Sequence, residues 1–428
     1  MVVTSGVARI HRTVVHDEHI HAHPHATVGV HIAHDSWIVD WLDNRHAHFK
    51  HHLRENISQA VSIVKSSNST STPIHLLLFG YFGFGNWGDE LMLMAFLEHT
   101  RRLGAIDTAV ISGAPKWTRK LHNVRAIGRF NIPAILREFQ HADCAIGCGG
   151  SLLQDATSLR SLLYYIMLIK FARCFNAKVL LIAQGIGPLK RRLSQRLARY
   201  ALKTCDLITL RDERSFQIAI ELGAPINNAR VTADLAFLLA PPFQCTPPKN
   251  DITIGVALRQ WQSHNRVVPE VATALSHINN QMGVKQVRCI SFHPTADEHI
   301  HRALMDGLEG MTVEICCPQK LHQLWQCIKG VHVLICARLH AVILGLLTGT
   351  PIIALSYDPK VSAIMHAWQP ELCLEWSEVN AEMIIERMHW CIDDWEHLHA
   401  TALSFAHRAH LASMQNVTLV SQYLECSH

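Results

Sequence analysis

The chain has 428 residues, enough for two domains of ordinary size, and its 49% hydrophobic and 17% charged content excludes intrinsic disorder. A net charge of +4, with no basic stripe interleaved with aromatics, gives no reason to expect nucleic acid as a partner. The longest apolar stretch, 331–357, carries Arg338 and His340 in its middle, so it reads as a core strand and helix rather than a membrane span.

Twelve of the 31 histidines lie between His11 and His52, and His19, His21, His23 and His25 alternate. Such a tract chelates metals weakly, but it defines no fixed ligand set, and no metal site is expected. No basic segment leads into an apolar run at the start, which argues against a signal peptide. The thirteen scattered cysteines lack CxxC pairs, which fits reduced thiols and a cytoplasmic location. Trp41, Phe49, Leu53, Ile57 and Val61 recur at helical spacing, giving a helix over 37–64 that packs on the body or touches a membrane surface. Residues 66–73, SSNSTSTP, read as a linker, so 1–72 form an N-terminal extension.

From residue 74 the pattern is strand, turn, helix, repeated. Strands are predicted over 74–79, 108–112, 143–147, 178–183, 206–210 and 230–233, with helices over 89–103, 158–175 and 193–204. This alternation specifies an α/β fold with a doubly wound parallel sheet. Pro241, Pro242, Pro247 and Pro248 break it. It restarts with strands over 252–258, 286–292, 312–316, 331–335 and 351–355. The expectation is two Rossmann-like domains, 73–245 and 246–377, facing a cleft, with helices over 378–428 packing back on the body.

Gly83-Phe84-Gly85-Asn86-Trp87-Gly88 is a literal GxGxxG between a strand and a helix. The next strand ends without an acidic residue for a ribose, and Asp89-Glu90 opens the helix where a pyrophosphate would sit. A nicotinamide cofactor is therefore not expected. Those carboxylates either favour the helix dipole or take a proton from a substrate hydroxyl. A second glycine turn runs from Gly147 to Asp155. Charged residues follow successive strands: Arg211, Arg259, His293, Arg338 with His340, and Asp358 with Lys360. In open parallel sheets, ligands bind at these carboxyl ends, and converging Arg and Lys imply an anion with several charged oxygens. Arg338 and His340 carry most weight, because a charge inside an apolar stretch is costly without a purpose.

The stretches GYFGFGNWGDE (80–90), GGSLLQDATS (149–158), QGIGPL (184–189), Arg211-Asp212, Thr232-Ala233-Asp234, Arg338-Leu339-His340 and SYDPKV (356–361) occur in this order. Together they resemble the polysaccharide pyruvyl transferase family, and within it the CsaB-type branch, over about residues 74–370. The resemblance implies a GT-B-like fold and transfer of pyruvate from phosphoenolpyruvate to two hydroxyls of a sugar, forming a cyclic ketal and phosphate. It implies a saccharide acceptor, lipid-linked, at the inner membrane face, and no cofactor beyond the donor. On this reading Arg211, Arg338 and Lys360 clamp the donor and His340 is the acid. Asp89 is the first choice of base and Glu90 the second. Asn86, Gln154, Asp155 and Arg259 complete the substrate-contact candidates. Cys148 and Cys336 stand where the family more usually has glycine, with the expectation that a thiol is small enough to be tolerated there but narrows the cleft or alters acceptor choice. A nucleotide-sugar glycosyltransferase of the same fold is the competing reading.

Overall fold

Leu76 and Leu78 of the first strand, β1 (Ile74–Phe79), enter one buried apolar cluster, and Leu77 and Phe79 enter another. A strand apolar on both faces needs cover on both, which makes it a central strand of a sandwiched parallel sheet. The computed structural model describes residues 73–425, apart from 105, 157, 249, 250, 262 and 263. The histidine tract, the helix expected over 37–64 and nearly all of the 66–73 linker lie outside the described residues.

After β1 come α1 (Trp87–Thr100), β2 (Ile106–Ser112), α2 (Pro115–His122), β3 (Arg125–Gly128), α3 (Ile132–His141) and β4 (Cys144–Cys148). Then follow α4 (Leu159–Cys174), β5 (Lys178–Gln184), α5 (Arg192–Thr204), β6 (Leu207–Leu210), α6 (Glu213–Glu221) and β7 (Ala229–Val231). The seven strands pair in parallel in the order β3-β2-β1-β4-β5-β6-β7.

A short 3₁₀ turn, Leu235–Leu238, leads to the second sheet. Its elements are β8 (Ile252–Ala257), α7 (His264–Met282), β9 (Val284–Ile290), α8 (Pro294–Asp306), β10 (Val313–Cys316) and α9 (Leu321–Ile328). They continue with β11 (Val333–Cys336), α10 (Leu339–Thr348), β12 (Ile352–Ser356), α11 (Pro359–Trp368) and β13 (Cys373–Glu375). The order is β10-β9-β8-β11-β12-β13, again parallel. Two helices close the description, α12 (Ala381–Asp393) and α13 (Trp395–Glu425).

In both sheets the strand order reverses beside the first strand, between β1 and β4 and between β8 and β11. The loops leaving those strands diverge and open a crevice at each reversal. One continuous buried cluster joins the inner faces of both sheets through α1, Phe237 of the 3₁₀ turn and Leu398 and Val417 of α13. Hydrogen bonds fix the long helix to the first sheet. Thr209 and Thr232 donate to Asn416 Oδ1 at 2.5 and 2.9 Å, and Ser413 Oγ donates to the Asp234 carbonyl at 3.0 Å. Among the described residues, no helix is long and apolar enough to cross a membrane.

Candidate active site

The first wall grows from the loop between β1 and α1. Gly83 and Gly85 adopt left-handed backbone angles, and a Cβ on Gly83 would sit 2.1 Å from Ser112 Oγ. The Gly83 N–H donates to Glu90 Oε1 at 2.8 Å, and Glu90 Oε2 lies 2.7 Å from His122 Nε2, both side chains being fully buried. Glu90 thus takes a loop amide that a phosphate-binding turn would leave open. The arrangement also removes Glu90 from the candidate bases, because both oxygens are engaged inside the core. Asp89, turned about 100° around the same helix, faces the other way.

Asp89 accepts a short hydrogen bond from Asn86 Nδ2, and a Cβ on Gly150 would lie 3.4 Å from its Oδ1. Burial and the neighbouring Glu90 push its pKa from 3.8 up to about 7, although His340, Asn86 and Lys360 pull the other way. Asn86 therefore contacts Asp89 directly.

The second glycine turn is braced from within. Gln184 Nε2 donates to the carbonyls of Gly147 and Gly149 at 3.1 and 2.8 Å. Gln154 lies partly exposed just beyond this turn. Asp155 does not face the cleft. Its carboxylate accepts from the Lys190 N–H at 2.9 Å and the Arg191 N–H at 3.0 Å, so it staples one loop to another. Cys148 and Cys336 are buried in the core, and burial raises both thiols far above their usual range.

The second wall grows from β8, β11 and β12. Asp297, fully buried near the start of α8, accepts from the N–H groups of Phe292 and His293 at 3.0 and 2.9 Å and from Arg338 Nη2. Arg338 is thereby oriented, and its buried Nε has no partner among the described residues. Burial and the Arg338 charge hold the His293 imidazole below its usual pKa. Arg259 donates to the Tyr357 hydroxyl at 2.6 Å and packs on the Trp261 and Tyr357 rings. Burial and Arg211 lower the Lys360 ammonium, while Asp358 and Asp89 oppose them. Beside Tyr357 lies a cavity of about 450 Å³ with Arg214, Asp358, His366 and Glu375 in its lining.

The walls meet at α1. The Trp87 N–H donates to the Phe292 carbonyl at 2.8 Å, and its indole N–H donates to the Pro318 carbonyl at 2.9 Å. A Cβ on Gly88 would lie 2.2 Å from His340 Nδ1, so only glycine lets the start of α10 approach the start of α1 this closely. His340 Nε2 lies 3.6 Å from Asp234 Oδ1, beyond hydrogen-bond range, and has no other partner among the described residues. Asp234 also accepts from Arg211 Nη1 at 3.2 Å and from the Ala236 N–H at 3.0 Å. Burial alone would raise its pKa, but the His340 and Arg211 charges and that backbone donor hold it well below the usual carboxylate range. Arg211 lies over Gly185, where a Cβ would fall 2.6 Å from its Nη2.

The structure thus joins Asp89, His340, Asp234 and Arg211 through contact or charge, with Lys360 acting on both Asp89 and Arg211. Asp234, Asp297 and Gly88 received no role from the sequence. Asp234 and Gly88 stood inside recognised motifs, but the closeness of Gly88 to His340 is a contact between the two halves, and Asp297 matters through its pairing with the distant Arg338. Among the described residues, no three His, Cys, Asp or Glu side chains gather to hold a metal ion.

The architecture is that of the GT-B enzymes. A putative UDP-N-acetylglucosamine 2-epimerase from Listeria monocytogenes aligns over 83% of this chain and 97% of its own, with a TM-score of 0.60 at 11% identity. A glycosyltransferase from Rickettsia africae aligns over 83% and 98%, with a TM-score of 0.53 at 13% identity. Those likenesses establish fold alone. The family model for polysaccharide pyruvyl transferase matches residues 86–359, and the chain belongs to that family. The amylovoran biosynthesis protein AmsJ of Erwinia amylovora is 22% identical over 313 residues, which cover 64% of this chain and 73% of that protein. The chain is accordingly a transferase of polysaccharide biosynthesis.

Proposed function

We propose that the chain transfers pyruvate from phosphoenolpyruvate to two hydroxyls of a saccharide, forming a cyclic ketal and releasing phosphate. The observation that carries this reading is the opposition of Asp89 and His340 across the meeting of two helix starts, beside Arg211 and Lys360. A carboxyl with a pKa near 7 exchanges protons readily at neutral pH. The His340 imidazole lies 3.6 Å from the Asp234 carboxylate, which leaves its Nε2 without a hydrogen-bond partner among the described residues.

The steps balance. His340 gives a proton to the methylene carbon of the donor, and the neighbouring carbon becomes electron-poor. The first hydroxyl oxygen attacks that carbon and loses its proton to Asp89. The bond to the phosphate oxygen then breaks, with its electron pair leaving on phosphate, and Asp89 returns its proton to that group. The second hydroxyl attacks, and His340 takes its proton. Both residues end as they began. Arg211, Arg338 and Lys360 hold the donor carboxylate and phosphate, and Arg259, with Tyr357, lies at the rim of the same anion site. Asn86 and Gln154 line the approach. The acceptor is a cell-envelope saccharide or its lipid-linked precursor, met at the cytoplasmic membrane face.

A thermal-shift comparison tests the reading. Phosphoenolpyruvate at 100-fold over its dissociation constant should stabilise the fold by about 2.7 kcal/mol, and Arg338→Ala and Lys360→Ala should abolish the shift. Stabilisation by UDP-glucose with none from phosphoenolpyruvate would favour a nucleotide-sugar glycosyltransferase and overturn the proposal.

A further inference from the structure

Outward from Asp89, the loops after β1 and β3 build an aromatic surface around one cation. Tyr81 and Phe84 stack with centroids 4.2 Å apart and planes 13° from parallel. The Arg129 guanidinium carbon lies 5.1 Å from the Phe84 centroid, 4.9 Å from Phe130 and 4.6 Å from Tyr164. Rings therefore hold this guanidinium in place, and its buried Nε has no hydrogen-bond partner among the described residues. Phe130 is 77% exposed and Tyr81 is 41% exposed, so large apolar faces remain uncovered beside the charge.

Two features tie this surface to the chemistry. Phe84 lies in the glycine loop that leads directly into Asp89, and its ring covers Gly113, where a Cβ would fall 2.8 Å from Phe84 Cζ. Asp89 also acts electrostatically on Tyr81 and Tyr165, as Arg129 does. The patch is thus an extension of the site.

We propose that this surface is the acceptor subsite and that the acceptor is an anionic saccharide, its sugar ring stacked on Tyr81 and Phe130 and its phosphate or carboxylate held by Arg129. A flat aromatic face matches the apolar face of a sugar ring, whose hydroxyls stay free at the edge for reaction. A guanidinium already desolvated by three rings loses little water when it meets an anion, and its planar fork suits two oxygens at once. The identity of the ligand as a saccharide rests on the pyruvyl-transfer reading, whereas the preference for an anion rests on Arg129 itself.

Ligand-observed NMR titrations of the full chain with glucose, glucose 1-phosphate and glucuronate provide the test, with phosphoenolpyruvate titrated in parallel. Wild type should bind at least one charged sugar about tenfold more tightly than glucose, and the favoured one distinguishes a phosphate-bearing from a carboxylate-bearing acceptor. Arg129→Gln should abolish that preference, Phe130→Ala should weaken all three sugars, and both should bind phosphoenolpyruvate as wild type does. Phe130 is exposed, so its variant keeps the test open if Arg129→Gln does not fold. Equal binding of the three sugars to wild type, a preference that survives Arg129→Gln, or unaltered sugar binding by Phe130→Ala would overturn the proposal. Failure of wild type to bind phosphoenolpyruvate would instead remove the pyruvyl-transfer reading and leave the anion preference standing.

Discussion

Replacing Asp89 by asparagine should stabilise the protein while disabling it, and the stabilisation should grow with pH. The folded pKa of about 7 lies above the usual 3.8, so the folded state holds the proton more tightly than the unfolded chain. This contribution is fully present below about 3.8 and is lost as pH rises through about 7. At about 1.4 kcal/mol per pH unit, the raised pKa lowers stability relative to a neutral side chain by about 2 kcal/mol at pH 5, where only the unfolded carboxyl is ionised, and by about 4 kcal/mol at pH 8.5. Asparagine keeps an oxygen for the Asn86 amide and carries no charge. Differential scanning calorimetry of wild type and Asp89→Asn at the two pH values should show the Tm gap widening by about 3 °C at the higher pH. Turnover of the variant should fall by about 100-fold or more. A Tm gap equal at both pH values would refute the reasoning, since it would mean that Asp89 is not a group with a displaced proton equilibrium.

His122→Ala leaves Glu90 Oε2 buried without its partner, and urea unfolding should show a loss of about 3 kcal/mol, with turnover reduced because Glu90, which anchors the Gly83 loop, is no longer held in place. Gly88→Ala drives a methyl into the His340 ring, and kcat should fall by about 100-fold while the circular dichroism spectrum stays unchanged. Asp234→Asn removes the anion facing His340 and pairing Arg211. Its kcat should fall by about 100-fold, with a smaller change in phosphoenolpyruvate affinity read by thermal shift.

The fold was legible because its strands are strongly apolar and regularly spaced. The first strand occupies the range its sequence indicated, and the central strands differ from expectation at their ends by a residue or two. Two edge strands escaped notice. β3 is four residues long and opens with Arg125, and β13 is three residues long, so neither presents an apolar run. Side-chain direction was the harder matter. Asp89 and Glu90 are neighbours of similar chemistry, yet helical rotation sends one to the cleft and the other to His122. Asp155 sits in a polar turn like a ligand contact, and only the path of the distant 188–191 loop shows that its carboxylate serves backbone amides. The partnership of Arg338 with Asp297 spans 41 positions and two strand-helix units, so spacing could not reveal it.

The anchoring of α13 has a consequence for the order in which the structure is completed. Both sheets are laid down by Glu375, about twenty residues before that helix begins. Yet Ser413 and Asn416, which grip the Asp234 turn, belong to its second half. During vectorial synthesis the strands of both halves can therefore form while the Ala233 and Asp234 carbonyls still lack their donors from α13. The last helix to emerge is thus the one that fixes the backbone of the turn bearing Asp234.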